Sequence, residues 1–500
     1  MLTTITQKTG LILLLLYAQL NIQQALAQTP PPLSNPSTLP AKLKANPNIC
    51  PAQLGQAIET VTNRPQFSRG RWGIIVQISP STTIYSRDAQ KYFIPASNVK
   101  LLTTAAALHK LGANFRIRTS IYGTDNGLLR LVGRGDPSLT DVQLTDLARQ
   151  LKVTGVSQLT YLEVERDRFS DDIISPDWEW GDIQADYGAP IGSLIVNQNA
   201  VELQLLPQQI GKPLRLKWQD PLAARQWQAI DNQSLTVKPG EPAAVGVNRD
   251  LSGILKVSGK LSIDSPPETV SLAVVNPEAN FVQHLRQALL VAGIQDNNNR
   301  VRPNIVEVQK QLAKAPELAA VNSPPLAELL VETNINSNNL YAEALLRALG
   351  KQINSSDSNS QTGLIAVKQA LTALGVNSTG YILADGSGLS RHNLVTPEAI
   401  AQTLNAMASS QYAAIYRASL PVAGISGTLT NRFKNTPAQG VVSAKTGTVS
   451  GVVALSGYIN ALNYKPLVFS IMVNQSDQSA ATLRQAVDEI VLLLVSLRHC

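Results

Sequence analysis

Residues 95–111, PASNVKLLTTAAALHKL, decide how the rest of the chain is read. Ser97 lies where a loop enters a strongly helical run rich in Ala and Leu. Lys100 follows three residues later, on the same helix face, so its amine can reach the serine hydroxyl. A serine is a weak nucleophile at neutral pH until an adjacent base takes its proton. A neutral lysine amine can do that if burial or a neighbouring cation lowers its pKa. The free N–H groups at a helix start also favour developing negative charge. Alone, S-x-x-K reads equally as a serine N-cap followed by a surface lysine. Its partners must therefore be sought elsewhere.

Two further motifs follow in order. Ser337-Asn338-Asn339 stands just before another helical run. Its bland reading is an N-cap; its chemical reading gives Ser337 a proton relay and lets Asn339 hold Lys100 and a substrate backbone. Lys445-Thr446-Gly447-Thr448 lies on a strand pattern. A glycine in a strand lets another backbone or a ligand come close. Lys445 and Thr446 suit a substrate carboxylate, and Lys445 would depress the pKa of Lys100 through like-charge repulsion. The set S-x-x-K, S-x-N, K-T-G in that order is far more specific than any member.

Around these motifs the chain is organised in blocks. Residues 51–62 look helical, and 72–79 with 82–87 form a hairpin pattern. From about 121 to 264, short β-like runs alternate with Gly, Pro, Asp and Asn turns, and helix signal is sparse. Helices are expected at 279–291, 325–333, 339–349 and 364–374. Strands are expected at 441–446, 452–460 and 466–474, with a last helix at 479–497. The order suggests one α/β domain, residues 51–120 and 296–500, interrupted by a β-rich insertion at 121–295.

Residues 1–27 carry Lys8, an apolar run at 10–18 (GLILLLLYA) and Ala25-Leu26-Ala27, the layout of a cleavable secretory signal. The proline-rich segment 28–50 reads as a linker. No later stretch is long and apolar enough to span a bilayer, so a soluble mature protein is expected. A net charge of +7 without basic runs interleaved with aromatics argues against nucleic acid and suits peripheral association with an anionic wall or membrane. The two cysteines, Cys50 and Cys500, could pair in an oxidising compartment. They and four scattered histidines form no metal-ligand spacing, so neither metal nor cofactor is expected.

The three motifs resemble those of the penicillin-binding proteins of the D-Ala-D-Ala carboxypeptidase/endopeptidase type, peptidase family S13. The 240-residue interval from Ser97 to Ser337 is similar to the branch whose two extra subdomains sit between the first two motifs. GRGDPSL (133–139), PDWEWGD (176–182), DGSGLSRHN (385–393) and PVAGISGT (421–428) also resemble family segments, although Arg134 replaces a more usual small residue. The resemblance implies a transpeptidase-like α/β (α+β) domain, an antiparallel sheet with helices on both faces. It implies cleavage of peptidoglycan stem peptides through a Ser97 acyl-enzyme, an oxyanion held by the N–H groups of Ser97 and Thr448, and covalent inhibition by β-lactams. Asp182 would meet the free amine of the stem peptide, and Arg391 would help bind the peptide. A periplasmic location follows from the export signal with the resemblance. A β-lactamase, a serine esterase of the same fold and a catalytically silent wall-binding module remain alternatives at this point.

Overall fold

The computed structural model describes residues 48–165, 173–227, 229–297, 305–353 and 358–500. The expected signal segment, residues 1–27, lies outside them, as does most of the linker. Five antiparallel strands form the main sheet: β1 (Arg71–Ser79), β2 (Thr82–Arg87), β3 (Val442–Val449), β4 (Val452–Ile459) and β5 (Leu467–Asn474). Their spatial order is β3-β4-β5-β1-β2. The first strand of the chain therefore pairs with the last, from Arg71 opposite Asn474 to Gln77 opposite Val468.

Both faces of this sheet are covered, which is why β4 and β5 are buried along their whole length. Alternate side chains serve different cores. Ile75 and Met472 face α2 (Val99–Leu111), α3 (Asn339–Gly350) and α4 (Pro397–Ala408) through Leu101, Leu345 and Ile400. Ile74 and Ile471 face the other way, toward α1 (Pro51–Thr62) and α5 (Ala480–Val495), through Leu54, Ile58 and Ile490. The expected domain type is the one observed: a mixed α/β fold with helices on both faces of an antiparallel sheet.

Helix α4 was not expected from the sequence, although its start signals were present. Thr396 caps Ala399 N at 3.1 Å and Pro397 opens the first turn. The long β-rich stretch also contains a helix, Asp141–Val153, where little helix was expected. Its capping box uses Gln143: the Gln143 side chain accepts from Thr140 N at 2.9 Å. Leu144, Leu147 and Leu151 then bury its inner face.

The described residues between Arg118 and Asn322 build two further packed units. In one, the strands Glu317–Asn322, Arg118–Gly123, Leu128–Val132 and Tyr161–Val164 make a sheet, in that order. The helices Asp141–Val153 and Pro277–Val291 share its core through Leu147 and Phe281. Asn322 lies opposite Arg118, so the chain leaves the main domain and returns to it on paired strands. In the other unit, two small sheets enclose Val201, Leu203, Leu205, Leu255 and Val257. His284 is buried between the two, its Nδ1 2.7 Å from Asp141 Oδ1 and its Nε2 3.2 Å from Asp220 Oδ2.

The start of the described residues meets the C-terminal segment. Ile49 bridges Leu497, and Cys50 is disulfide-bonded to Cys500 with the Cα atoms 5.8 Å apart. The bond closes nearly the whole chain into a loop, so its loss should destabilise the fold by about 2–4 kcal/mol. Thermal unfolding of the Cys50→Ser/Cys500→Ser variant checks this, with a fall of several degrees expected. An unfolding temperature equal to that of the oxidised parent would show that packing alone holds the ends.

Candidate active site

Ser97 sits in a single 3-10 turn, Ala96–Asn98, that runs directly into α2. Ala96 adopts a φ of +47°, a left-handed conformation costing about 1–3 kcal/mol for such a residue. Asn98 is fully buried and donates to Ser456 Oγ of β4 at 2.8 Å, which pins the turn to the sheet.

Lys100 is wholly buried. Its Nζ lies 3.0 Å from Ser97 Oγ, 2.6 Å from Asn339 Oδ1 and 2.7 Å from the Ser387 carbonyl. The Asn339 amide is oriented by its Nδ2, which donates to the Tyr187 carbonyl at 2.8 Å. Its oxygen must therefore face the lysine. Two of the three partners of Lys100 can only accept, whereas the hydroxyl can donate. A neutral amine gives its two hydrogens to Asn339 and Ser387 and keeps its lone pair for the Ser97 proton.

Burial brings the Lys100 pKa down to about 7, against the upward pull of Asp385 and Glu343. The sequence reading assigned this lowering to Lys445. The repulsion instead falls on Lys445, whose pKa burial and then Lys100 push well below the usual lysine range.

The Ser387 carbonyl is held by two buried carboxylates. Glu343 Oε1 accepts from Gly386 N and Ser387 N, both at 2.8 Å. Asp385 accepts from Gly388 N and Ser390 N at 2.7 Å, from Asn393 Nδ2 at 2.8 Å and from Trp178 Nε1 at 3.0 Å. Gly388 has a φ of +84°, and a Cβ there would stand 1.9 Å from the Ala96 carbonyl oxygen. Only glycine lets this loop close against the Ser97 turn. Burial and then Asp385 raise the Glu343 pKa to about 7.

Lys445 Nζ donates to Ser337 Oγ at 2.8 Å and to the Thr446 carbonyl at 2.9 Å. Ser337 itself has a φ of +60°. Thr446 Oγ1 is 2.8 Å from Thr428 Oγ1. Strand β3 is the sheet edge, and the tight hairpin makes Val449 and Val452 the closing hydrogen-bonded pair. Alternation along the ladder then leaves the N–H groups of Thr446 and Thr448 facing outward. A Cβ on Gly447 would come within 2.7 Å of the Pro95 carbonyl and 3.2 Å of Ser97 N, so the edge passes directly beside the serine turn.

The structure thus joins Ser97, Lys100 and Asn339 in one hydrogen-bonded group, and Ser337 with Lys445 in another, with Gly447 against the turn. Asp182 and Arg391 join these groups indirectly, through Tyr187 and the hairpin after Thr448. Tyr187 donates its hydroxyl to Asp182 at 3.3 Å, and burial with Glu179 raises the Asp182 pKa. Arg391 Nε pairs with Glu179 Oε1 at 2.6 Å, and its Nη1 donates to the Ser450 carbonyl at 3.0 Å. Sequence reasoning missed Glu343, Asp385, Ser387 and the Tyr187 carbonyl. Signals existed: Asp385 and Ser387 lie in DGSGLSRHN, and Glu343 and Arg347 sit four apart in a largely apolar helix.

The family model for the D-Ala-D-Ala carboxypeptidase 3 (S13) family matches residues 54–494. The chain belongs to that family. Membership makes it a serine-type, penicillin-binding D-Ala-D-Ala carboxypeptidase. It is 33% identical to the D-alanyl-D-alanine carboxypeptidase of Actinomadura sp. strain R39, over 84% of this chain and 81% of that protein. It is 28% identical to the penicillin-sensitive carboxypeptidase A of Dictyostelium discoideum, over 85% of this chain and 87% of the other. The crystal structure of penicillin binding protein 4 from Haemophilus influenzae superposes with a TM-score of 0.73. That match covers 87% of this chain and 98% of the other at 24% identity, a likeness of fold.

If neutral Lys100 is the base, penicillin acylation of this carboxypeptidase should rise with pH, with its half-point near 7. Below that pH the amine is protonated and its lone pair is gone. Second-order acylation rates between pH 5 and 9 check the sign, and a rate falling across this range would contradict it. Lys100→Arg, which stays protonated, should lose about 100- to 10,000-fold.

Proposed function

We propose that Ser97, deprotonated by Lys100, attacks the carbonyl of the penultimate D-alanine of a peptidoglycan stem peptide. The observation that carries this is the partner set of Lys100: two obligate acceptors and one hydroxyl around a buried amine. In the first step the Ser97 Oγ–carbon bond forms and its proton passes to Lys100. The oxyanion is received by the N–H groups of Ser97 and Thr448, a preorganised pair beside the β3 edge. Collapse breaks the C–N bond, and the leaving amine takes a proton through Ser337, which Lys445 orients. Water then hydrolyses the ester. The leaving group is D-alanine in a carboxypeptidase turnover and a cross-linking amine in an endopeptidase turnover. Both cleave a bond after a D-alanine.

Lys445, Thr446 and Gly447 are assigned to the substrate carboxylate and backbone, and Asn339 to the acyl side. Asp182 and Arg391 are assigned to the far end of the stem peptide. Since Glu179 already occupies Arg391, a substrate carboxylate there has to compete with it. The enzyme is proposed to act in the periplasm after export by residues 1–27, in peripheral contact with the wall. The inserted block is proposed to extend to about residue 322, because Glu317–Asn322 closes its sheet.

Incubation of the mature protein with a fluorescent penicillin, beside Ser97→Ala, tests the assignment. A long-lived adduct located on Ser97 by mass analysis and absent from the variant is expected. Labelling that survives Ser97→Ala would refute the nucleophile. Rapid release of opened drug would point to a β-lactamase.

A further inference from the structure

Three successive residues of the insertion, Asn197, Gln198 and Asn199, have φ values of +49°, +57° and +50°. L-residues rarely enter the left-handed region, and then singly; asparagine tolerates it better than glutamine. The surroundings enforce the turn. Asn197 N donates to the Leu139 carbonyl at 3.0 Å, and Asn197 Nδ2 donates to Asp141 Oδ2 at 2.9 Å. Asn199 Nδ2 donates to the Pro190 carbonyl at 2.9 Å, and its own carbonyl accepts from Val274 N at 2.9 Å. Strain kept in place by so many bonds points to what it delivers. Here it delivers one side chain: Gln198 Oε1 accepts from Asn338 Nδ2 at 2.7 Å.

Asn338 is the middle residue of the S-x-N loop, and every polar atom of its amide is engaged. Its second Nδ2 hydrogen goes to Glu332 Oε1 at 3.1 Å, and its Oδ1 caps Tyr341 N at 3.2 Å. On one side stands Ser337, itself left-handed and bonded to Lys445; on the other stands Asn339, bonded to Lys100. A rotation of Asn338 therefore moves both groups that face the two lysines.

We propose that Gln198 is a positioning residue, reaching from the insertion to lock Asn338 and so hold Ser337 and Asn339 in register with Lys445 and Lys100. The inference rests on the Ser97 reading above. Two variants separate its parts. Gln198→Met keeps the strained backbone and removes the acceptor; Gln198→Gly removes the strain and the acceptor together. Penicillin acylation, kcat and KM on a D-Ala-D-Ala peptide, and Tm are measured for each. Displacing reacting groups lowers rate more than binding, so kcat should fall roughly three- to tenfold in both, with KM within about twofold. In Gln198→Gly, Tm should be equal to or above the parent value. A purely structural role would instead lower Tm and activity together, and that result overturns the proposal. So does kcat within twofold of the parent in both variants. An unlabelled wild type would overturn the Ser97 reading and this one with it; a labelled wild type matched by Gln198→Met overturns this one alone.

Discussion

The structure depends on one amine kept out of water. A lysine with no exposure is costly when charged, so its environment must favour the neutral form or surround it with acceptors. At Lys100 the acceptors come from the first residue of α3 and the loop after residue 384, both of which follow residue 322 in the chain. Glu343 and Asp385 do not touch the amine, yet they fix the carbonyl that does. The site is thus a by-product of satisfying buried polar groups, since each one left unpaired would cost about 1–3 kcal/mol.

That constraint also explains how the insertion is used. Its contacts with the main domain include hydrogen bonds to groups beside the two buried lysines. The Tyr187 carbonyl orients Asn339, and Trp178 ties down Asp385. Gln198 holds the residue between Ser337 and Asn339. Displacement of the inserted units would be felt first as a loss of geometry at the two lysines.

What could be read from the sequence follows locality. The reach from Ser97 to Lys100 is a property of one helical turn, so S-x-x-K spacing was sufficient. The three last strands were visible because each is a compact run of apolar and β-branched residues. The pairing of β1 with β5, the edge position of β3 and the meeting of Cys50 with Cys500 are long-range facts with no local trace. The helix Asp141–Val153 was hidden by a polar, solvent-facing side, although its T-x-x-Q box was there. Glu343 was passed over because a carboxylate that accepts from backbone N–H groups has no motif of its own, and Asp385 was read only as the start of DGSGLSRHN.

The pairing of β1 with β5 also sets a clock. A chain made from its N-terminus presents Ser97 and an apolar strand hundreds of residues before the strand that completes the sheet. At ~5–20 residues per second the wait is on the order of 20 to 75 s. Throughout it Ser97 has neither Lys445 nor the β3 edge beside it, and β1 lacks its central neighbour. Until then an apolar strand waits without the partner that buries it. The Ser97 turn gains its neighbours only once β3 and β5 have been made.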